Sequence, residues 1–384
     1  MGKGFTSLAA VAVAAGLALS SGAAAAADPI KIGAFLSVTG PASFLGEPEK
    51  KTLEYFIDRL NQGGGVLGRK IELVVYDDGG LPEKAATFAK RLVQNDGVDL
   101  VIAGSATATT MAGVKVIDAA EVPFISLAGG VDIVEPVKKW VFKTPHTDRM
   151  ACEKIFIDMK KRALTKVGLL SEDGGFGKSG RGQCLALAPS FGVDIVADEI
   201  YSPKDPDVTA QLTKIRGATG VQAVLVFGFG QGPAVVTKNY RQLGIPLPLY
   251  QSHGVASKEF IRLAGAAAEG VRLPAAGLVV AEQLPASDPQ KPVVLTFKAE
   301  YEKAFGTEVS TFPGHSYDAL NMAVAAIKRA GGTDKAKVRD EIERTAGFIG
   351  TAGTVTMSPA DHMGLTLAAF HMVEIRKGDW ALLD

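Results

Sequence analysis

The sequence predicts an α/β protein built from two Rossmann-like lobes, each with a parallel sheet. Short segments rich in Val, Ile and Leu alternate with longer amphipathic segments, which is typical of βαβ units. This alternation occurs in two successive series. The chain of 384 residues is also longer than a single hydrophobic core usually serves. Two α/β domains in tandem are therefore expected.

The first series alternates four strands with three helices. We predict strands at 30–35, 70–76, 98–103 and 122–127. The intervening amphipathic segments predict helices at 47–60, 82–94 and 107–120.

The second series has the same build. Strands are predicted at 166–171, 193–201, 223–227 and 247–250, with helices at 177–191, 208–217 and 232–243. The extended segment 140–145 ends in a proline and is expected to cross from one lobe to the other.

The remaining segments are too few for a third domain. They predict helices at 292–305, 316–330 and 335–345, and strand-like runs at 354–357 and 367–375. We expect them to return to the first lobe and then to the second, so that the chain crosses between the lobes three times and forms a hinge.

The first 27 residues have the features of a secretory signal peptide. Lys3 precedes a short apolar run, and small residues end at Ala27, which predicts cleavage before Asp28 and a periplasmic location. A membrane anchor is the alternative, but the apolar run is shorter than the roughly 20 residues that a spanning helix needs. The first residues also fit a myristoylation pattern, although the apolar run behind them favours export.

The charge balance excludes a nucleic-acid partner. Removing Lys3 with the signal leaves 40 basic residues (41 − 1) against 41 acidic residues, a formal net charge of −1. In an exported protein the only two cysteines, Cys152 and Cys184, are expected to form a disulfide, with two buried free thiols as the alternative.

Ligands of open parallel sheets bind beyond the carboxyl ends of the strands. In the first lobe the segments that follow strands are small, hydroxyl-bearing and glycine-rich, and they lie at 37–46, 104–109 and 126–130. Neutral donors of this kind suit a carboxylate ligand. Gly, Ser and Thr are also common as helix caps and turn residues, so a purely structural role is the alternative.

In the second lobe the corresponding segments are 172–177, 228–231 and 251–254. They place Phe176 and Phe229 beside glycines, which predicts apolar walls, although both rings are also ordinary core residues in the alternative interpretation.

Two motifs resemble catalytic ones but lack essential parts. Gly177, Lys178 and Ser179 follow a strand as in a phosphate-binding loop, yet Glu172 stands where that loop requires a glycine. The segment 175–180 matches G-x-G-x-x-G, a weak signal when it occurs alone. The five histidines are scattered singly and no nucleophile elbow is present. We therefore expect no enzymatic activity, cofactor or metal.

Several segments together resemble the type I periplasmic binding proteins, and within them the leucine/isoleucine/valine-binding branch of ABC importers. The segments are Ile32-Gly-Ala-Phe-Leu-Ser-Val-Thr-Gly-Pro41, Gly65-Val-Leu-Gly-Arg-Lys70, Val74-Val-Tyr-Asp-Asp78, Pro123-Phe-Ile-Ser126, Glu172-Asp-Gly-Gly-Phe-Gly177 and Tyr317-Asp-Ala319.

The resemblance implies two lobes joined by a three-strand hinge that closes on the ligand. It implies a first lobe at 28–143 and 277–348 and a second at 144–276 and 349–384. An ABC permease in the inner membrane is the implied partner, and the receptor is expected to be a monomer. The implied ligand-binding positions are Phe44, Ser105, Ala106, Thr107, Ala128, Gly129, Gly130, Phe176, Phe229 and His253.

His253 is the most informative departure from the family pattern. Amino-acid receptors of this branch carry a glutamate at the matching position, where its charge pairs with the ligand's ammonium group. A buried ammonium without a carboxylate partner is costly. We therefore expect a carboxylate of the benzoate or hydroxycinnamate type, its ring between Phe176 and Phe229, with a branched-chain amino acid as the alternative. A sensing module of a signalling receptor and a secreted enzyme are the other function classes.

Overall fold

The computed structural model describes residues 1, 2, 4 and 28–383. The predicted signal peptide at 1–27 thus lies almost entirely outside the described residues. Within the part of the chain that is described, no helix has the length and apolar character needed to cross a membrane.

The first sheet has five parallel strands. They are β1 (Ile30–Leu36), β2 (Ile71–Asp77), β3 (Leu100–Ala103), β4 (Phe124–Ser126) and β5 (Val141–Lys143), in the order β2-β1-β3-β4-β5. The segment predicted only to cross between the lobes thus also supplies the fifth strand. The inner strands are buried on both faces, which is typical of a parallel sheet between two helical layers.

The second sheet has seven strands. The first five are parallel: β6 (Lys166–Glu172), β7 (Asp194–Tyr201), β8 (Ala223–Phe227), β9 (Leu249–Gln251) and β10 (Arg272–Ala276). A separate hairpin follows, formed by β11 (Phe348–Ile349) and β12 (Thr354–Val355). The chain then adds β13 (Phe370–Arg376) and β14 (Asp379–Leu382) to the sheet, in the order β14-β13-β10-β9-β8-β6-β7.

Two features of this sheet differ from the sequence prediction. β13 pairs antiparallel with β10 and with β14, so the sheet is mixed. Neither β10 nor β14 was predicted, and Pro274 at the centre of β10 lacks the N–H that a ladder strand donates. Strand β10 pairs with β13 over all of its residues, whereas its pairing with β9 is limited to a single register position.

Eleven α-helices, counted over residues 28–383, cover the sheets. They are α1 (Ser43–Gln62), α2 (Pro82–Arg91), α3 (Thr107–Ala119), α4 (Asp148–Lys161), α5 (Gly175–Leu187), α6 (Thr209–Gly217), α7 (Gly232–Gln242), α8 (Lys258–Ala264), α9 (Lys291–Phe305), α10 (Thr311–Ala330) and α11 (Lys335–Glu343). α10 packs on α1 and β3, so a late segment of the chain joins the first sheet. α4 and α8 were not among the predicted helix ranges.

Two helices begin a full turn or more before the predicted residue. α1 begins at Ser43 instead of residue 47, and α10 begins at Thr311 instead of residue 316. Pro313 lies in the first turn of α10, where the missing N–H costs no intrahelical hydrogen bond. Both differences matter for the site, because the added first turns contain side chains that face it.

Candidate functional site

A narrow cavity of about 40 Å³ lies beyond the carboxyl ends of strands from both sheets. Segments following β3 and β4 of the first sheet and β6, β8 and β9 of the second sheet meet around it. Its lining consists of Leu45, Ser105, Ala106, Thr107, Leu127, Gly129, Pro145, Phe176, Phe229, His253, Gly254, Phe312 and His315.

Seven of the ten predicted ligand-binding residues border this cavity: Ser105, Ala106, Thr107, Gly129, Phe176, Phe229 and His253. Phe44, Ala128 and Gly130 do not. The ring of Phe44 instead packs with its centroid 6.0 Å from that of Phe229 and 5.5 Å from that of Phe312. Phe44 therefore joins the two lobes beside the cavity.

Thr107 lies at the border of the cavity, at the start of a helix. It is the first residue of α3, and the residue before it, Ala106, has no side-chain oxygen to cap the helix. The first N–H groups of such a helix attract an anion. The Thr107 hydroxyl oxygen accepts a hydrogen bond from the Gly130 N–H at 3.1 Å, which leaves its own proton available.

Other predicted carboxylate donors are already engaged within the protein. The Ser105 hydroxyl donates to Glu49 and accepts from the Ser37 N–H. The Ala128 N–H donates to the Ser126 hydroxyl at 3.2 Å. A sequence pattern of hydroxyls and glycines cannot distinguish these internal bonds from ligand contacts, because both require the same groups.

An aromatic ring between Phe176 and Phe229 stays a prediction, and it requires the two rings to separate from their present contact. The two rings meet edge to face with their centroids 5.9 Å apart, which is direct contact. A further ring does not fit between them. The cavity as a whole has room for roughly three water molecules. Either candidate ligand therefore requires side chains or lobes to move apart.

His253 lies partly buried in the wall of the cavity between Phe176 and Phe370. Neither ring nitrogen has a hydrogen-bond partner. Burial, and to a smaller extent the nearby Lys143 and His315, lower the pKa of His253 to about 3. The imidazole is therefore neutral at physiological pH and offers one donor and one acceptor.

No carboxylate belongs to the described residues that line the cavity. Glu172, a residue that could replace the glutamate missing at position 253, instead accepts a hydrogen bond from the Phe229 N–H at 3.1 Å. Burial raises the pKa of Glu172 to about 8. It supports the loop that carries Phe229 and does not reach the lining.

Sequence reasoning missed Phe312 and His315. Both lie in the first turns of α10, which the pattern predicted to begin only at residue 316. Pro313 was the available signal, since proline is favoured in the first turn of a helix. Their approach to the cavity depends on the packing of α10 against α1, which no local pattern reveals.

Two further features bear on the predicted chemistry. Cys152 on α4 and Cys184 on α5 are joined by a disulfide, with their Cα atoms 5.2 Å apart. Over residues 28–383 no group of three or more His, Cys, Asp or Glu side chains is arranged to hold a metal ion.

Comparison with known proteins identifies the family. The sequence pattern of the periplasmic binding proteins matches residues 29–379. The leucine-, isoleucine-, valine-, threonine- and alanine-binding protein of Pseudomonas aeruginosa is 27% identical over 320 residues, which are 83% of either chain. Leu/Ile/Val-binding protein homolog 3 of Brucella melitensis is also 27% identical, over 91% of this chain and 92% of its own length.

Solved structures agree with this result. An extracellular ligand-binding receptor from Rhodopseudomonas palustris HaA2 superposes with a TM-score of 0.86 at 29% identity, over 92% of this chain and 99% of that one. The substrate-binding protein of a branched-chain amino acid transporter from Streptococcus pneumoniae, in complex with isoleucine, shares the fold, with a TM-score of 0.81 at 24% identity over 92% of this chain and 99% of that chain. The chain therefore belongs to the periplasmic binding protein family.

Proposed function

We propose that this protein is the substrate-binding receptor of an ABC importer and that it captures a small carboxylate in the periplasm. The observation that carries the proposal is a cavity formed by loops of both sheets, with the Thr107 hydroxyl and the start of α3 at its polar side. An ABC permease of the inner membrane is the proposed partner, and a single copy of the chain is the proposed binding unit. We expect no catalytic turnover.

The lobes are proposed to follow the division expected from the sequence, 28–143 with 277–348 and 144–276 with 349–384. The sheet membership of the strands supports this division, because β1 to β5 form one sheet and β6 to β10 with β13 and β14 form the other. The chain then crosses between lobes after β5, after β10 and before β13, which is the arrangement of a hinge.

The geometry of the cavity favours an acid without an ammonium group. Its lining offers aromatic rings and a neutral His253, and among the described lining residues there is no carboxylate that would pair with an ammonium. Burying an unpaired charge costs several kcal/mol. An aromatic acid lying against Phe176, Phe229 and Phe312 is the ligand that this lining supports best.

A branched-chain amino acid is the second candidate, and the comparisons support it better than the aromatic acid. The relatives from Pseudomonas aeruginosa and Brucella melitensis are named for leucine, isoleucine and valine. Those names describe proteins that are 27% identical to this chain. They therefore support branched-chain amino acids as a class of ligand more strongly than any one amino acid.

Calorimetric titration separates the two candidates. We would compare leucine, isoleucine and valine with benzoate, 4-hydroxybenzoate and 4-coumarate, on the native protein and on His253→Glu. If the aromatic acids bind, His253→Glu is expected to weaken them by like-charge repulsion. Micromolar binding of the aliphatic amino acids with none of the aromatic acids would replace the first ligand class by the second and leave the receptor function intact.

A further inference from the structure

Two residues that line the cavity carry buried polar atoms without a hydrogen-bond partner. Of the described residues that line it, only His253 and His315 have buried side-chain nitrogens or oxygens without a hydrogen-bond partner: both ring nitrogens of His253 and Nδ1 of His315. Buried polar atoms are nearly always paired, so three unpaired nitrogens around one cavity point to a ligand group that pairs them.

The neighbouring His146, in contrast, has a hydrogen-bond partner within the protein. His146 is buried, and His253 and His315 lie close enough to it to lower its pKa. Its Nε2 lies 3.2 Å from the Ala369 carbonyl oxygen, and its ring stacks on Phe370 at 4.0 Å. It does not line the cavity. The unpaired nitrogens are thus a property of the two cavity histidines, and not of every buried histidine in this region.

The two cavity histidines belong to different lobes. His315 lies on α10, which packs on α1 and β3 of the first sheet, whereas His253 follows β9 of the second sheet. The His315 backbone carbonyl accepts from the Thr144 hydroxyl at 2.9 Å, which holds this part of α10 against the segment that follows β5. A ligand group that binds both rings therefore connects the lobes.

We infer that His253 and His315 together bind a hydroxyl group of the ligand, separate from its carboxylate, and that the preferred ligand is a hydroxylated acid. This inference rests on the proposed carboxylate receptor. A hydroxyl both donates and accepts, which matches neutral imidazoles that each offer one donor and one acceptor. Lys143, buried and close enough to affect both rings, disfavours an ammonium group at the same place.

Pairs of acids that differ by one hydroxyl test the inference. We would titrate benzoate against 4-hydroxybenzoate, and cinnamate against 4-coumarate, on the native protein and on His315→Leu and His253→Leu. The native protein is expected to prefer the hydroxylated acid by about tenfold, because an unmatched buried polar group is costly. Each leucine variant should lose most of that preference while its affinity for the parent acid changes little.

Two control variants test whether a general structural effect of replacing a histidine explains the loss of preference. His371→Gln changes a partly buried histidine on β13 that does not line the cavity, and it should keep the native preference. His315→Gln, which retains a donor and an acceptor, should keep part of the preference, and it replaces His315→Leu if that variant does not fold.

The possible failures are distinguishable. Equal affinity for both members of a pair on the native protein, an unchanged preference in both leucine variants, or tighter binding of terephthalate than of 4-hydroxybenzoate would overturn the inference and leave the receptor in place. If only the aliphatic amino acids bind, this overturns both the inference and the proposal that the ligand is an acid without an ammonium group. No binding of any compound in the panel would overturn the proposed carboxylate receptor and this inference with it.

Discussion

At the scale of single residues, polar groups around the cavity divide into those that hold the protein together and those left for a ligand. Ser105 and the Ala128 N–H belong to the first group, since both bond to neighbouring side chains. Thr107 belongs to both, because its oxygen accepts from Gly130 while its proton remains available. Individual side-chain directions therefore decide the chemistry of the site.

Removal of the Thr107 hydroxyl should weaken carboxylate binding. Thr107→Val keeps the shape of the side chain but loses the donor, and we expect the affinity to fall by about tenfold or more, because hydrogen bonds to charged groups are worth about 1.5–3 kcal/mol. Calorimetry with the acid that binds the native protein measures the effect. Thr209→Val, at the start of α6 and away from the cavity, is the matched control. Equal losses in both variants would contradict a role for Thr107 in binding.

The raised pKa of the buried Glu172 predicts that the stability of the protein depends on pH. Burial raises its pKa from the ordinary value of 4.5 to about 8. The folded protein thus favours the protonated carboxyl, so this contribution to stability is fully present below pH 4.5 and is lost as the pH rises through about 8. Glu172→Gln imitates the protonated form.

We expect Glu172→Gln to unfold at a higher temperature than the native protein at pH 9, and at a similar temperature at pH 5. Thermal unfolding followed by circular dichroism at the two pH values measures this. Asp173→Asn removes the neighbouring exposed carboxylate and should not reproduce the difference. If the difference in unfolding temperature between the native protein and Glu172→Gln is the same at both pH values, the raised pKa of Glu172 is refuted.

At the scale of elements, close approach of α5 to the second sheet explains a glycine. A Cβ added at Gly180 would lie 2.0 Å from a ring carbon of Phe227 on β8. Gly182 lies on the same helix, and a Cβ there would meet nothing within 4 Å. The two glycines therefore serve different purposes: Gly180 permits packing, whereas Gly182 only lowers the stability of the helix.

Alanine at these two positions should have opposite effects. Gly180→Ala forces a shift of Phe227 and is expected to lower the free energy of unfolding by about 1–3 kcal/mol. Gly182→Ala is expected to raise it by about 0.5–1 kcal/mol, because alanine favours a helix interior. Chemical denaturation of both variants measures the values. A Gly180→Ala protein as stable as Gly182→Ala would show that α5 does not pack on β8 this closely.

At the scale of the whole molecule, the two lobes are in contact around the cavity. Phe44 of α1 packs against Phe229, and a Cβ added at Gly175 on α5 would lie 3.0 Å from the Cβ of Ala108 on α3. The cavity is smaller than the candidate ligands, so a ligand enters only when these contacts separate. Opening and closing of the hinge are thus expected to accompany binding.

Because the free protein in solution has to open to admit a ligand and then closes around it, small-angle scattering should show a smaller radius of gyration when the native protein is saturated with ligand. Gly175→Val places a branched side chain where α3 and α5 meet and should prevent full closure, so that ligand causes less compaction and binds more weakly. Gly182→Val, on the exposed side of the same helix, should compact like the native protein. Full compaction of Gly175→Val would contradict the importance of this contact.

Local sequence patterns were sufficient to predict the α/β class, the tandem arrangement of two lobes and most of the segments that surround the cavity. These follow from local patterns, because alternating strands and helices imply parallel sheets whose carboxyl ends lie at one edge. Tertiary structure alone decided that Ser105 bonds internally, that Phe176 and Phe229 touch, and that His315 reaches the cavity beside His253. The side chains of His253 and His315 are 62 residues apart in sequence (315 − 253), and only the packing of α10 across the molecule brings them to one cavity.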